Sequence, residues 1–170
     1  MLLMYTRRNH AMLSLLGGDA AFPEPSSLPI PEDLIELVAG GFERMTGMTF
    51  LRSLAESRGS ALGYLETIDD ETGIEAGINE LHIEAFLVAQ VPFFELARLG
   101  CDFGFLLAKI LQRDHSGIPF RVIVSAYAAG ASDSVRDTCV VGFHQRRDHQ
   151  VWLNEDLESY RQEAVEVLDF

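Results

Sequence analysis

A chain of 170 residues with 48% apolar and 23% charged residues has the length and composition of one ordinary globular domain with a sizeable core. No apolar run approaches the roughly 20 residues of a membrane span, because Glu95, Arg98, Asp102 and Lys109 interrupt the most apolar segment. The formal net charge of -13 repels phosphate backbones and anionic lipid, so the expected partner is neither nucleic acid nor a membrane but a basic protein.

Residues 1–30 read as an N-terminal arm ahead of a single domain over 31–170. Arg7 and Arg8, the short apolar run from Ala11 to Leu16 and the prolines at 23, 25 and 29 resemble a degenerate twin-arginine export signal. Asp19 breaks the apolar region and no A-x-A site follows. The main expectation is therefore a cytoplasmic protein with a loosely docked arm, and export is the alternative.

Pro31-Glu32-Asp33 opens a helix, since proline suits the first turn and the acids complement its dipole. Leu34, Leu37, Val38, Phe42 and Met45 continue it at helical spacing, weakened by Gly40-Gly41. A second helix is expected over Thr49 to Ser57. Ser60 to Ile68 reads as a strand, Asp69 to Gly73 as a turn, and Ile78 to Leu87 as a returning strand. In that strand Leu81, Ile83 and Ala85 face one way and Glu80, His82 and Glu84 the other.

Phe93 to Arg113 is the predicted central helix, with Gly100 and Gly104 flattening one face so that a sheet can approach. The same Gly-x-x-x-Gly spacing leaves a homodimer open. Pro119 to Tyr127 and Thr138 to Arg146 form the second predicted hairpin, with Cys139, Val141 and Phe143 inward. Asn154 is the expected N-cap of a last helix, although Ala164 to Phe170 also reads as a strand. The order ααββαββα describes an α+β two-layer domain, an antiparallel sheet of about four strands packed with helices. Cys101 and Cys139 lack any Cys-x-x-Cys or Cys/His spacing and read as buried apolar residues; no metal site and no cofactor is expected.

Two constellations carry possible chemistry. Val141 to Trp152 holds His144, Arg146, Arg147, His149 and the single tryptophan, a pattern that suits an anion or a local charge-compensated turn. Glu80, His82 and Glu84 share one strand face. If both hairpins belong to one sheet, His82, Glu84, His144 and Arg146 converge as a weak catalytic set, a histidine acting as general base and Arg146 as anion clamp in a small hydrolase or transferase.

Binding is favoured over catalysis. Residues 31–91 hold three arginines against twelve acids, and the expected partner surface is Glu66, Asp69, Asp70, Glu71, Glu75, Glu80 and Glu84 around the first hairpin. An acidic inhibitor or immunity protein directed at a basic protein would have this charge pattern.

Overall fold

The computed structural model describes residues 3–18, 24–57, 70–130 and 136–170. An α+β domain is built on a five-stranded antiparallel sheet ordered β1-β7-β5-β6-β4, with a separate β2-β3 hairpin. The five strands are β1 (Tyr5–Arg8), β4 (Leu81–His82), β5 (Phe120–Tyr127), β6 (Thr138–Gln145) and β7 (Ala164–Asp169). The hairpin pairs β2 (Phe42–Met45) with β3 (Met48–Leu51). The helices are α1 (His10–Leu15), α2 (Glu32–Ala39), α3 (Arg52–Ser57), α4 (Glu71–Ile78) and α5 (Phe93–Asp114), with single 3-10 turns at Ile83–Phe86 and Leu157–Ser159.

Strand alternation divides the core. Phe120, Val122, Val124 and Ala126 of β5, with Cys139, Val141 and Phe143 of β6, turn inward and are at most 1% exposed. The central helix α5 lies on this face, as its periodicity predicts. Gly100 and Gly104 allow the close approach: a Cβ at Gly100 would fall 2.2 Å from Cys139 Sγ, and one at Gly104 2.8 Å from a Val124 methyl. Both cysteines are buried and unbridged. On the opposite face Ile123, Val165 and Val167 meet Leu153, Leu157 and Tyr160, forming a smaller apolar cluster. A second, smaller apolar cluster therefore lies on the face of the sheet away from α5.

The chain ends close the sheet together. β7 pairs with β5 and, on its other edge, with β1. This corrects two expectations: Tyr5–Arg8 is an edge strand of the sheet and not part of a loose arm, and the C-terminal segment takes its strand alternative. Arg7 and Arg8, being adjacent on a strand, go to opposite faces. Arg7 reaches Glu155 and Asp169 on the outer face, and Arg8 pairs with the buried Glu166 on the inner one. Asn9 then N-caps α1 through Met12 N–H, accepts from Val165 N–H at 3.0 Å and donates to the Glu163 carbonyl at 2.7 Å.

The middle of the chain departs furthest from expectation. The predicted strand over 60–68 lies outside the described residues. The acidic turn is the start of α4: Asp70 is the N-cap, accepting from Gly73 N–H at 3.1 Å. After α4 only Leu81–His82 pairs with β6, before the 3-10 turn diverts the chain. The segment expected to be one long helix from Pro31 ends at Ala39 and becomes β2, because Gly41 adopts φ +81°. The helix expected from Thr49 starts only at Arg52, its first residues forming β3.

Candidate functional site

The residues from His144 to Trp152 are tied to α4. Arg147 contacts Glu71 Oε2 at 3.0 Å and Glu75 Oε2 at 2.6 Å. Thr72 donates to Gln150 Oε1 through both its N–H and its hydroxyl. Trp152 leans on Gly73, where a Cβ would lie 3.0 Å from the indole. Charge compensation is thus the structural role of Arg147, with the partners coming from α4.

Glu75 is fully buried and cannot belong to a partner surface, which corrects that expectation. Its carboxylate accepts from Thr49 N–H of β3 and from Gln145 N–H of β6. One turn later Asn79 accepts from Leu51 N–H at 3.0 Å and donates to the carbonyls of Thr49 and Phe143. Two side chains at i and i+4 thereby link two strand edges that do not pair directly. Asp70 serves as a helix cap and Glu71 as a partner of Arg147. Glu84 holds Cys139 N–H at 3.0 Å and His82 Nδ1 at 3.0 Å. Glu66 and Asp69 lie outside the described residues. The seven acids therefore do not form one described patch, and of the described five only Glu80 lines the cleft on the outer face of the sheet.

The four residues of the weak catalytic set are not brought together. His82 pairs with Val140, four residues along β6 from His144, roughly 13 Å away. His144 and Arg146 do share a cleft of about 240 Å³ with Arg121, Arg147, Trp152 and Glu155. Arg121 is already committed there: its guanidinium makes a two-pronged pair with Asp169 at 2.7 and 2.9 Å and a third bond to Glu155 at 2.8 Å.

A larger cleft, about 410 Å³, opens on the outer face of the sheet. Ser125 and Tyr127 of β5 and Val140, Gly142 and His144 of β6 form its floor. The end of α4 with Glu80 makes one wall; Trp152, Leu153, Tyr160 and Glu163 make the other. Among the described residues its lining contains two carboxylates and three polar aromatic rings but no Lys or Arg. Glu163 accepts from Ser125 Oγ at 2.7 Å, which fixes the carboxylate without neutralising it.

His144 sits at the junction of the two clefts and is only 3% exposed. Its Nδ1 lies 2.9 Å from its neighbour's carbonyl at Gln145, so Nδ1 carries the proton and Nε2 presents a lone pair. Nε2 is buried with no hydrogen-bond partner among the described residues. Burial lowers the pKa of His144, and the neighbouring Arg121 and Arg147 act in the same direction, keeping the ring neutral. Sequence alternation places His144 on the polar face but carries no sign that this face is covered.

No helix among the described residues is long and apolar enough to cross a membrane. Neither a curated protein nor a solved structure matches the chain. Residues 7–170, from the edge strand to the C-terminus, match the Uncharacterized protein PM0498 family, and the chain belongs to that family.

Proposed function

We propose that this acidic protein binds a basic protein, and that the outer-sheet cleft is where the contact is made. The observation that carries the reading is the lining of that cleft: the carboxylates Glu80 and Glu163 and the rings of Tyr127, Trp152 and Tyr160, with no Lys or Arg among the described residues that line it. Carboxylates and aromatic faces together favour a cation, by Coulomb attraction and by the ring quadrupole. The cleft is also close to exposed apolar surface, since Val151 is 78% and Trp152 50% exposed. An inhibitor-like or immunity-like role towards a basic partner is the use that fits the net charge of -13, which would steer such a partner inward.

Capture from native lysate at low salt, run in parallel with wild type and with Glu163→Lys plus Gly142→Leu, tests this. The expected result is a basic protein retained by wild type, released by high salt and lost by the cleft variant. Retention of the same protein by the cleft variant would overturn the placement, and a partner that ignores salt would overturn the electrostatic reading.

The hydrolase or transferase alternative has less support, because its four candidate residues are divided between β4 and the following turn on one side and the end of β6 with the residue beyond it on the other.

A further inference from the structure

We propose that the free edge of β1 pairs with β1 of a second copy of this chain, joining two five-stranded sheets into one across a two-fold axis at Thr6. The ladder shows which backbone groups are available. Phe120 and Phe170 exchange both N–H to carbonyl bonds, at 2.9 and 3.1 Å, so Leu168 and Glu166, in step with Phe170, also turn their backbone groups towards β5. Asp169, Val167 and Val165 turn theirs towards β1, in keeping with the 3.1 Å bond from Asn9 N–H to the Val165 carbonyl. Tyr5 and Arg7, opposite Asp169 and Val167, therefore direct their N–H and C=O groups at β7, and those of Thr6 and Arg8 point out of the sheet. Among the described residues no strand pairs with that edge.

The sequence of the edge is complementary to itself. With Thr6 opposite Thr6 in an antiparallel pair, Tyr5 falls opposite Arg7 of the second copy, and Arg8 opposite Met4. Tyr5 and Arg7 share the outer face of the sheet, and Tyr5 is 64% exposed. The Arg7 guanidinium holds Glu155 and Asp169 through its N–H groups, so stacking of its plane on the Tyr5 ring of the second copy competes with neither ion pair. A paired threonine at the centre is itself a favourable cross-strand contact. An axis at Arg7 instead sets two arginines directly opposite each other, which is unfavourable, and an axis at Tyr5 leaves Arg8 unpaired.

Nothing in β1 guards it against such pairing: its register with β7 runs without a bulge, and it holds neither proline nor lysine. The other edge of the sheet does not offer a second site, because β4 is two residues long and the 3-10 turn leads the chain away. Like edges therefore meet in a closed pair and do not extend into a fibre. The Gly-x-x-x-Gly face of α5 is already filled, Gly100 by Cys139 and Gly104 by Val124, and is not where two copies join. Five paired residues span roughly 17 Å, a small contact, so the dimer depends on concentration.

Sedimentation equilibrium of the full chain tests this, in high salt to screen the repulsion between two copies of net charge -13. A reversible dimer is expected. Thr6→Pro removes an outward N–H while leaving the bonds from β1 to β7, so it should weaken the dimer about tenfold or more with the far-UV spectrum unchanged. Tyr5→Lys, which sets an ammonium opposite Arg7, should weaken it independently of any effect of proline on the strand. Under mild oxidation Thr6→Cys should link to its own copy, opposite residues of one ladder lying within disulfide reach, and Tyr5→Cys should not; the two native cysteines are buried and do not interfere. A chain that stays monomeric up to about 1 mM would overturn the second copy as occupant. A dimer indifferent to both Thr6→Pro and Tyr5→Lys would overturn its location, and linkage through Tyr5→Cys alone would overturn the axis at Thr6. A monomer whose captured basic protein is lost on Thr6→Pro would assign the edge to that partner and overturn the dimer.

Discussion

Thr46 is the one described residue other than glycine with positive φ, at 49°, and it occupies the two-residue turn between β2 and β3. With Gly47 at φ 86° the turn has both central residues in the left-handed region, where a β-branched side chain is strained and asparagine is favoured. Thr46→Asn is expected to stabilise the protein by about 1 kcal/mol, read as a rise in the urea midpoint. At Gly100 the sign reverses. A methyl there meets Cys139 Sγ in a closed core, so Gly100→Ala should cost about 1–3 kcal/mol by overpacking. Adding Cys139→Ala removes the obstructing sulfur and should recover part of that loss; a double mutant no better than the sum of the singles would refute the contact. The need for small residues at 100 and 104 is legible from helical spacing, whereas the atom that occupies the space belongs to a strand 39 residues away and is not.

At the scale of elements, α4 shows where local reading reaches its limit. Its glycines at 73 and 77 lower helix propensity, and its acidic start imitates a turn, so the alternation after it suggests a hairpin. Asp70 as N-cap with Ile74 and Ile78 four apart is the signal that would have found the helix. No local signal identifies Glu75 and Asn79 as the link between β3 and β6, because both roles depend on backbone groups brought in from 26 to 70 residues away. Asn79→Ala leaves Leu51 N–H and the Thr49 carbonyl without these bonds, at a cost of about 3 kcal/mol. The loss should appear locally, as faster amide exchange at Leu51 while the amides of β5 stay protected; uniform loss of protection would show that the hairpin and the sheet unfold as one unit.

At the scale of the molecule, the α+β class, the long helix α5 and the β5-β6 pair follow from periodicity and turn residues. The sheet order does not, since β1 and β7 come from opposite ends of the chain and declare no partner. Charge is similarly rearranged by folding. Glu75, Glu166 and Asp169 face Arg147, Arg8 and Arg121 inside the protein, so part of the acidity that suggests a surface is used internally. This arrangement sets the response to acid. Burial lowers the pKa of both His144 and His115, the latter helped by Arg44. A histidine whose folded pKa is depressed stabilises the fold above its unfolded value of 6.5, and that contribution is lost as pH falls towards the folded value, because the unfolded chain binds the proton first. Asp169 has the same sign at lower pH: burial would raise its pKa, but the bonds from Arg121, with the charges of Arg121, Arg146 and Arg7, hold it below 3.8. Glu166 has the opposite sign: burial raises its pKa against the pull of Arg8, so its contribution is present below its unfolded 4.5 and is lost as pH rises through the higher folded value. Between pH 7.5 and 5.5 the two histidines act through their unfolded value of 6.5, while the raised carboxyls Glu166 and Asp102 act with the opposite sign from above their ordinary values. Stability should fall with acid across that window, with His144 contributing a slope of at most about 1.4 kcal/mol per pH unit. Urea unfolding at both pH values should show the decline in wild type and a shallower one in His144→Gln, which has no proton to gain. An equal decline in the variant would mean that His144 takes up its proton as readily in the folded chain as in the unfolded one, and would overturn the depression of its pKa by burial.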